Sequence, residues 1–206
     1  MCQRTGTFDR TSRAGGVGAG GTVGIGIGML RAFLLGIVAT LMIGAIGGYV
    51  VVTTGLVDAS AQAKPGGLEK WAAHQSLKAA IARKSVALKD PLPLDDANLS
   101  AGLKLYAANC AVCHGAADHQ ASILAKGFYI GAPLLAKDGV EDDPESETFW
   151  KVSNGIRFSA MPAFQKRLTD EQMWQVTQFV AHMDKLPAAV EADWKSVPSA
   201  AATPAP

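Results

Sequence analysis

Two thiols and an imidazole fall within one short stretch: Cys110, Ala111, Val112, Cys113 and His114. Three chemistries use cysteines this close together. Structural zinc needs four protein ligands, usually as two close pairs. No second cysteine pair exists here, and the third cysteine, Cys2, stands far away near the N-terminus. A thioredoxin-type redox pair belongs to a βαβ context, which the hydropathy pattern lacks, and it needs no histidine. Covalent haem attachment uses all three side chains. The thiols add to the two vinyl groups as thioethers, and the histidine becomes the proximal iron ligand. The two vinyls are close on one edge of the ring, which calls for short spacing, and Ala111 and Val112 are small enough to pass that edge. The expected cofactor is one covalently bound haem c, held by Cys110, Cys113 and His114.

The second axial position decides what such an iron can do. The candidates are Met161, Met173, Met183, His119, His182 and the more distant His74. Met173 and Met183 sit on the apolar stripe of a helix, where methionine usually fills core. His182 is near the end of that helix, a common place for a solvated or dipole-facing histidine. His119 is too close in the chain to His114 to reach the opposite haem face, and His74 belongs to a connector. Met161 lies in a loop, RFSAMPAF, and Pro162 biases it towards extended backbone. A thioether so placed can aim at a fixed point, so the expected metal ligands are His114 and Met161.

Three helices are expected to position these groups. The first runs from Ser100 to Asn109 into the cysteines, and the second from Glu145 to Asn154, stopped by Gly155. The third runs from Asp170 to Lys185. Thr169 and Gln172 give it a capping-box pattern, Asp170 and Glu171 suit its positive end, and Met173, Val176, Val180 and Met183 share one face. No segment shows sustained β alternation, so the fold class is all-α with long loops, spanning about residues 99–186.

The rest of the chain divides by composition. Residues 1–31 are glycine-rich and read as a cytoplasmic N-terminus. Gly16, Gly18 and Gly21 match G-x-G-x-x-G, but no strand precedes them and no βαβ pattern follows. An alternative start at Met29 would remove most of this segment. Residues 32–57 carry no charge and, as a helix, would be roughly 39 Å long, enough for a hydrocarbon core of about 30 Å. An uncleaved transmembrane anchor is expected, with cleavage after Ala61 as the alternative. Lysine and arginine nearly balance across the span: Arg13 and Arg31 precede it, Lys64 and Lys70 follow it. Residues 58–98 read as a linker with a short helix whose broad face holds Trp71, His74, Leu77 and Ile81, closed by the breakers Pro91 and Pro93. Residues 187–206, rich in alanine and proline, read as a disordered tail. A net charge of +1 gives no basic footprint for nucleic acid.

Together, Gly102 and Tyr106 before Cys110–Gly115, a Gly-Ala-Pro-Leu loop, a tryptophan-bearing helix, Met161–Phe164 and a final Trp/Phe helix resemble class I cytochrome c. The resemblance covers about residues 99–186 and is nearest to mono-haem bacterial types on an N-terminal anchor. It implies the cytochrome c fold, in which N- and C-terminal helices cross and loops wrap one haem. Gly102 and Tyr106 would meet an aromatic of the last helix, Phe179. The carbonyl of Pro133 would accept from the His114 imidazole, orienting it and raising its basicity. Trp150 and Arg157 are candidates for haem packing or the propionates. The acidic stretch Asp138, Glu141, Asp142, Asp143, Glu145 and Glu147 reads as a solvated loop or, more sharply, as a dock for a basic partner.

Bacteria attach haem in this way outside the cytoplasmic membrane. The expectation is a single-pass protein of that membrane with its haem domain in the periplasm. It would exchange electrons with redox partners, a respiratory complex or a periplasmic dehydrogenase, and no catalytic residues are expected. The alternatives are a permanent haem subunit of an oxidase or dehydrogenase, or a five-coordinate haem with peroxidase or gas-binding activity.

Overall fold

The computed structural model describes residues 26–199. The glycine-rich motif at Gly16–Gly21 and Cys2 lie outside them. The chain forms two units, residues 1–57 and 58–206.

Among its described residues, the first unit has one helix, α1 (Ile27–Thr53), which buries no residue. It starts before the expected Ala32 and ends before Val57, because Gly55 adopts φ +70° and breaks the turn. Its hydroxyls find partners inside the helix: Thr40 donates to the Gly36 carbonyl at 2.9 Å and Thr53 to that of Tyr49 at 2.8 Å. A helix in hydrocarbon must satisfy its polar groups in this way. α1 is long and apolar enough to cross a membrane, as an anchor or a signal sequence.

Every regular element among the described residues of the second unit is a helix. Its elements are α2 (Gly67–Lys84), α3 (Asp96–Asn109), α4 (Ala111–His114), α5 (Ile123–Lys126), α6 (Leu135–Asp138), α7 (Glu145–Asn154), α8 (Asp170–Ala181) and α9 (Ala188–Ser196). The crossing of α3 and α8 is the central packing. At Gly102 the helices touch backbone to backbone: a Cβ there would collide with the Gln175 carbonyl and lie 2.9 Å from the Phe179 Cβ. Glycine is required by this close approach. One turn on, the Tyr106 ring meets Phe179 at 5.4 Å.

α3 begins four residues earlier than Ser100, because Asp95 caps it by accepting from the Asn98 amide at 2.8 Å. α7 has the bounds read from the sequence. α8 has both halves of its capping box, and its apolar stripe is buried. It stops at Ala181 rather than Lys185, where the chain turns through residues 182–185. Phe149 of α7 stacks on Trp174 of α8 with centroids 4.1 Å apart.

Two expectations need correction. The segment after Pro187 is ordered as far as it is described: α9 buries Val190 and Trp194 in the core. The Trp194 ring sits edge-on to Tyr106 at 5.5 Å and to Phe179 at 5.4 Å, completing the aromatic cluster where α3 and α8 cross. Residues 67–95 are also more than a linker. Ile81 is buried, and the Gln178 amide of α8 donates to the Asp90 carboxylate at 2.8 Å, fixing the proline segment. The expected broad face of α2 is only half used: Leu77 and Ile81 turn inward, while His74 is exposed and Trp71 stays 62 % exposed.

Candidate haem site

A single helical turn assembles the first wall. The Cys110 carbonyl accepts from the amides of Cys113 at 3.0 Å and His114 at 2.9 Å. This closes the turn that gathers two thiols and an imidazole. Gly115 ends it at φ +80°, and its carbonyl accepts from the buried Tyr106 hydroxyl at 2.9 Å. The buried Ser122, not singled out in the sequence, donates to the Val112 carbonyl at 2.6 Å and ties α5 to the same turn.

His114 Nδ1 lies 2.9 Å from the Pro133 carbonyl oxygen. A carbonyl only accepts, so Nδ1 carries the proton and Nε2 keeps its lone pair. Burial lowers the imidazole pKa, outweighing the opposite effect of the Pro133 bond, and favours the neutral ring that can ligate a metal. Burial and the neighbouring Cys113 push the Cys110 thiol up to about 12. Reactive redox cysteines have lowered values, so this environment does not match a thioredoxin-type pair.

The second wall is a loop. Gly155 leaves α7 at φ +64°, and a Cβ there would lie 2.6 Å from the Pro162 carbonyl carbon. The Ile156 amide then donates to the Met161 carbonyl at 3.2 Å, while Ser159 Oγ donates to the Ile156 carbonyl at 2.7 Å and accepts from the Met161 amide at 3.2 Å. Two further backbone bonds, from Phe164 to Val152 and from Gln165 to Ser153, fasten the loop to α7. Phe158, at the tip, is strained at φ +61° and 91 % exposed.

Between these walls lies a cavity of about 640 Å³. Cys110, Cys113, His114, Pro133 and Met161 all line it. Of the candidate axial ligands besides His114, Met161 alone reaches it among the described residues; Met173 and Met183 are in the core, and His119, His182 and His74 lie elsewhere. Most of the remaining lining is apolar, from α8, the loop at Phe128–Pro133 and Leu77 of α2. Two cations also line it, Lys151 and Arg167, whereas Trp150 and Arg157 do not. The sequence reading missed both cations. It placed Leu77 and Ile81 on one face of a short helix but did not bring that helix to the cavity. The Tyr129 hydroxyl donates to the Glu69 carboxylate at 2.8 Å, which pins α2 beside the cavity loop. Thiols at one edge, a lone pair and a thioether, apolar walls and two cations fit a flat metallo-macrocycle bearing carboxylates.

Comparison with known proteins agrees with this chemistry. Residues 97–180 match the family described as cytochrome c oxidase, cbb3-type, subunit III. Cytochrome c6 from Parathermosynechococcus lividus is 34 % identical over 88 residues, covering 41 % of this chain and 88 % of the relative. Cytochrome c6 from Leptolyngbya boryana is 34 % identical over 87 residues, covering 41 % of this chain and 91 % of that one. No solved structure matches. The chain belongs to the class I c-type cytochromes. Its cofactor is covalently bound haem c, and its activity is electron transfer.

Proposed function

We propose that this protein is a membrane-anchored, periplasmic electron carrier whose haem is attached through Cys110 and Cys113 and ligated by His114 and Met161. The observation that carries the reading is the placement of an oriented, neutral His114 and the loop-borne Met161 on one cavity. When bound, the group supplies an iron that cycles between ferric and ferrous states, and methionine ligation keeps its potential relatively high. The chain does the rest. Pro133 holds the His114 ring, Gly155 and Ser159 hold the Met161 loop, and the apolar walls exclude water. Held by both His114 and Met161, the iron would have no open position, and the chemistry it would supply is electron exchange instead of substrate binding. α1 supplies the anchor, and the side on which this kind of haem is attached supports a cytoplasmic N-terminus and a periplasmic domain.

The test is the near-infrared sulfur-to-iron band of the oxidised protein. We expect it in the wild type and expect Met161→Ala to abolish it. Its absence from the wild type, with rapid carbon monoxide binding on reduction, would sink the reading.

The match to a cbb3-type oxidase subunit favours a second role, that of a permanent haem subunit in a respiratory complex. Affinity purification from native membranes separates the two: a stoichiometric partner surviving detergent favours the subunit, and isolation alone favours the carrier.

A further inference from the structure

The acidic stretch after α6 invites the idea of a docking patch, but the structure engages much of it internally. Asp138 accepts from the Leu134 amide at 2.7 Å, and Glu145 lies 3.8 Å from His182. Asp143 is bound to Lys151, Nζ to Oδ2 at 2.8 Å. This last pair differs from the others because Lys151 also lines the haem cavity. Its side chain is 25 % exposed, against 44 % for Asp143, so the cation is the inner member. The second cavity cation, Arg167, forms no ion pair among the described residues.

We propose that the Asp143–Lys151 pair sets the reduction potential: Lys151 presents positive charge to the haem, and Asp143 cancels part of it. The inference rests on the haem assignment of the cavity but not on Met161 as ligand. Reduction adds one negative charge to the centre. A nearby cation favours the reduced state, and an anion disfavours it. Of the pair, Lys151 is the less exposed and so the less screened by solvent. Arg167, lacking a carboxylate partner, provides the uncompensated share. Both cations suit the two carboxylates a haem carries, Arg167 without competition and Lys151 in competition with Asp143.

The test is a spectroelectrochemical titration of the haem-loaded, full-length protein. Lys151→Gln should lower the midpoint potential, Lys151→Arg should restore it, and Asp143→Asn should raise it. The Asp143→Asn/Lys151→Gln double variant should fall back towards the wild type, and Arg167→Gln should lower the potential. A purely structural pair would move both single variants in the same direction. That outcome, or no shift from either Lys151→Gln or Asp143→Asn, would overturn the proposal. Failure of the His/Met assignment registers separately, as a missing near-infrared band in the wild type.

Discussion

The two walls of the haem cavity are built by opposite strategies. The Cys110–His114 wall is local. One turn of helix closed by two backbone bonds gathers three reactive groups, and a single bond to Pro133 orients the imidazole. The Met161 wall is an irregular loop instead of a helical turn. Its loop depends on a glycine at positive φ, a serine hydroxyl and backbone bonds back to α7, and it carries a strained residue at its tip. A helical turn holds its shape through its own backbone bonds, whereas a loop hung on one glycine and one serine can be lost by a single change outside the ligand. The difference implies that haem attachment and the proposed Met161 ligation can fail independently.

The largest effect should come from the local wall. With both Cys110→Ser and Cys113→Ser, no haem should remain on the polypeptide in a denaturing gel stained for haem. Met161→Ala should leave that stain intact while abolishing the sulfur-to-iron band and admitting carbon monoxide, and Met161→His should lower the potential. Gly155→Ala probes the contrast most directly. The new Cβ meets the Pro162 backbone at 2.6 Å and the residue keeps positive φ, so the loop must shift. We expect a loss of stability of about 1–3 kcal/mol in thermal melts, with the band weakened and the covalent haem retained. Equal loss of both haem attachment and band would show that the walls are not separable. The smallest effect belongs to Phe158. Replacing it with glycine removes the left-handed strain and should raise stability by up to about 1 kcal/mol. The band should persist.

Distance along the chain explains what could be read from the residues alone. The C-x-x-C-H turn was legible because its chemistry depends on local spacing. Met161 stood out because Pro162 restricts the backbone beside it, and the start of α8 because its cap pattern lies within four residues. The missed features depend on partners far away in the chain. Lys151 looks like an ordinary helix cation until the fold turns it to the cavity. Trp194 sits in an alanine- and proline-rich segment whose composition suggests disorder. Its spacing from Val190 is one helical turn, and together these two side chains bury enough apolar surface to order α9. Asp90 looks like part of a breaker sequence, yet Gln178 reaches it across 88 positions of chain.

The position of α2 bears on how this protein should be trimmed. The family match begins at residue 97, a natural place to cut a soluble fragment. Such a cut would discard Leu77 from the cavity wall, leave the Tyr129 hydroxyl without Glu69, and strip Asp90 from the Gln178 amide. The haem cavity would lose part of its wall, and its potential would no longer report on the native centre. A fragment starting between Asp58 and Gly67 omits α1 yet retains all three contacts, and it is the shorter piece worth expressing.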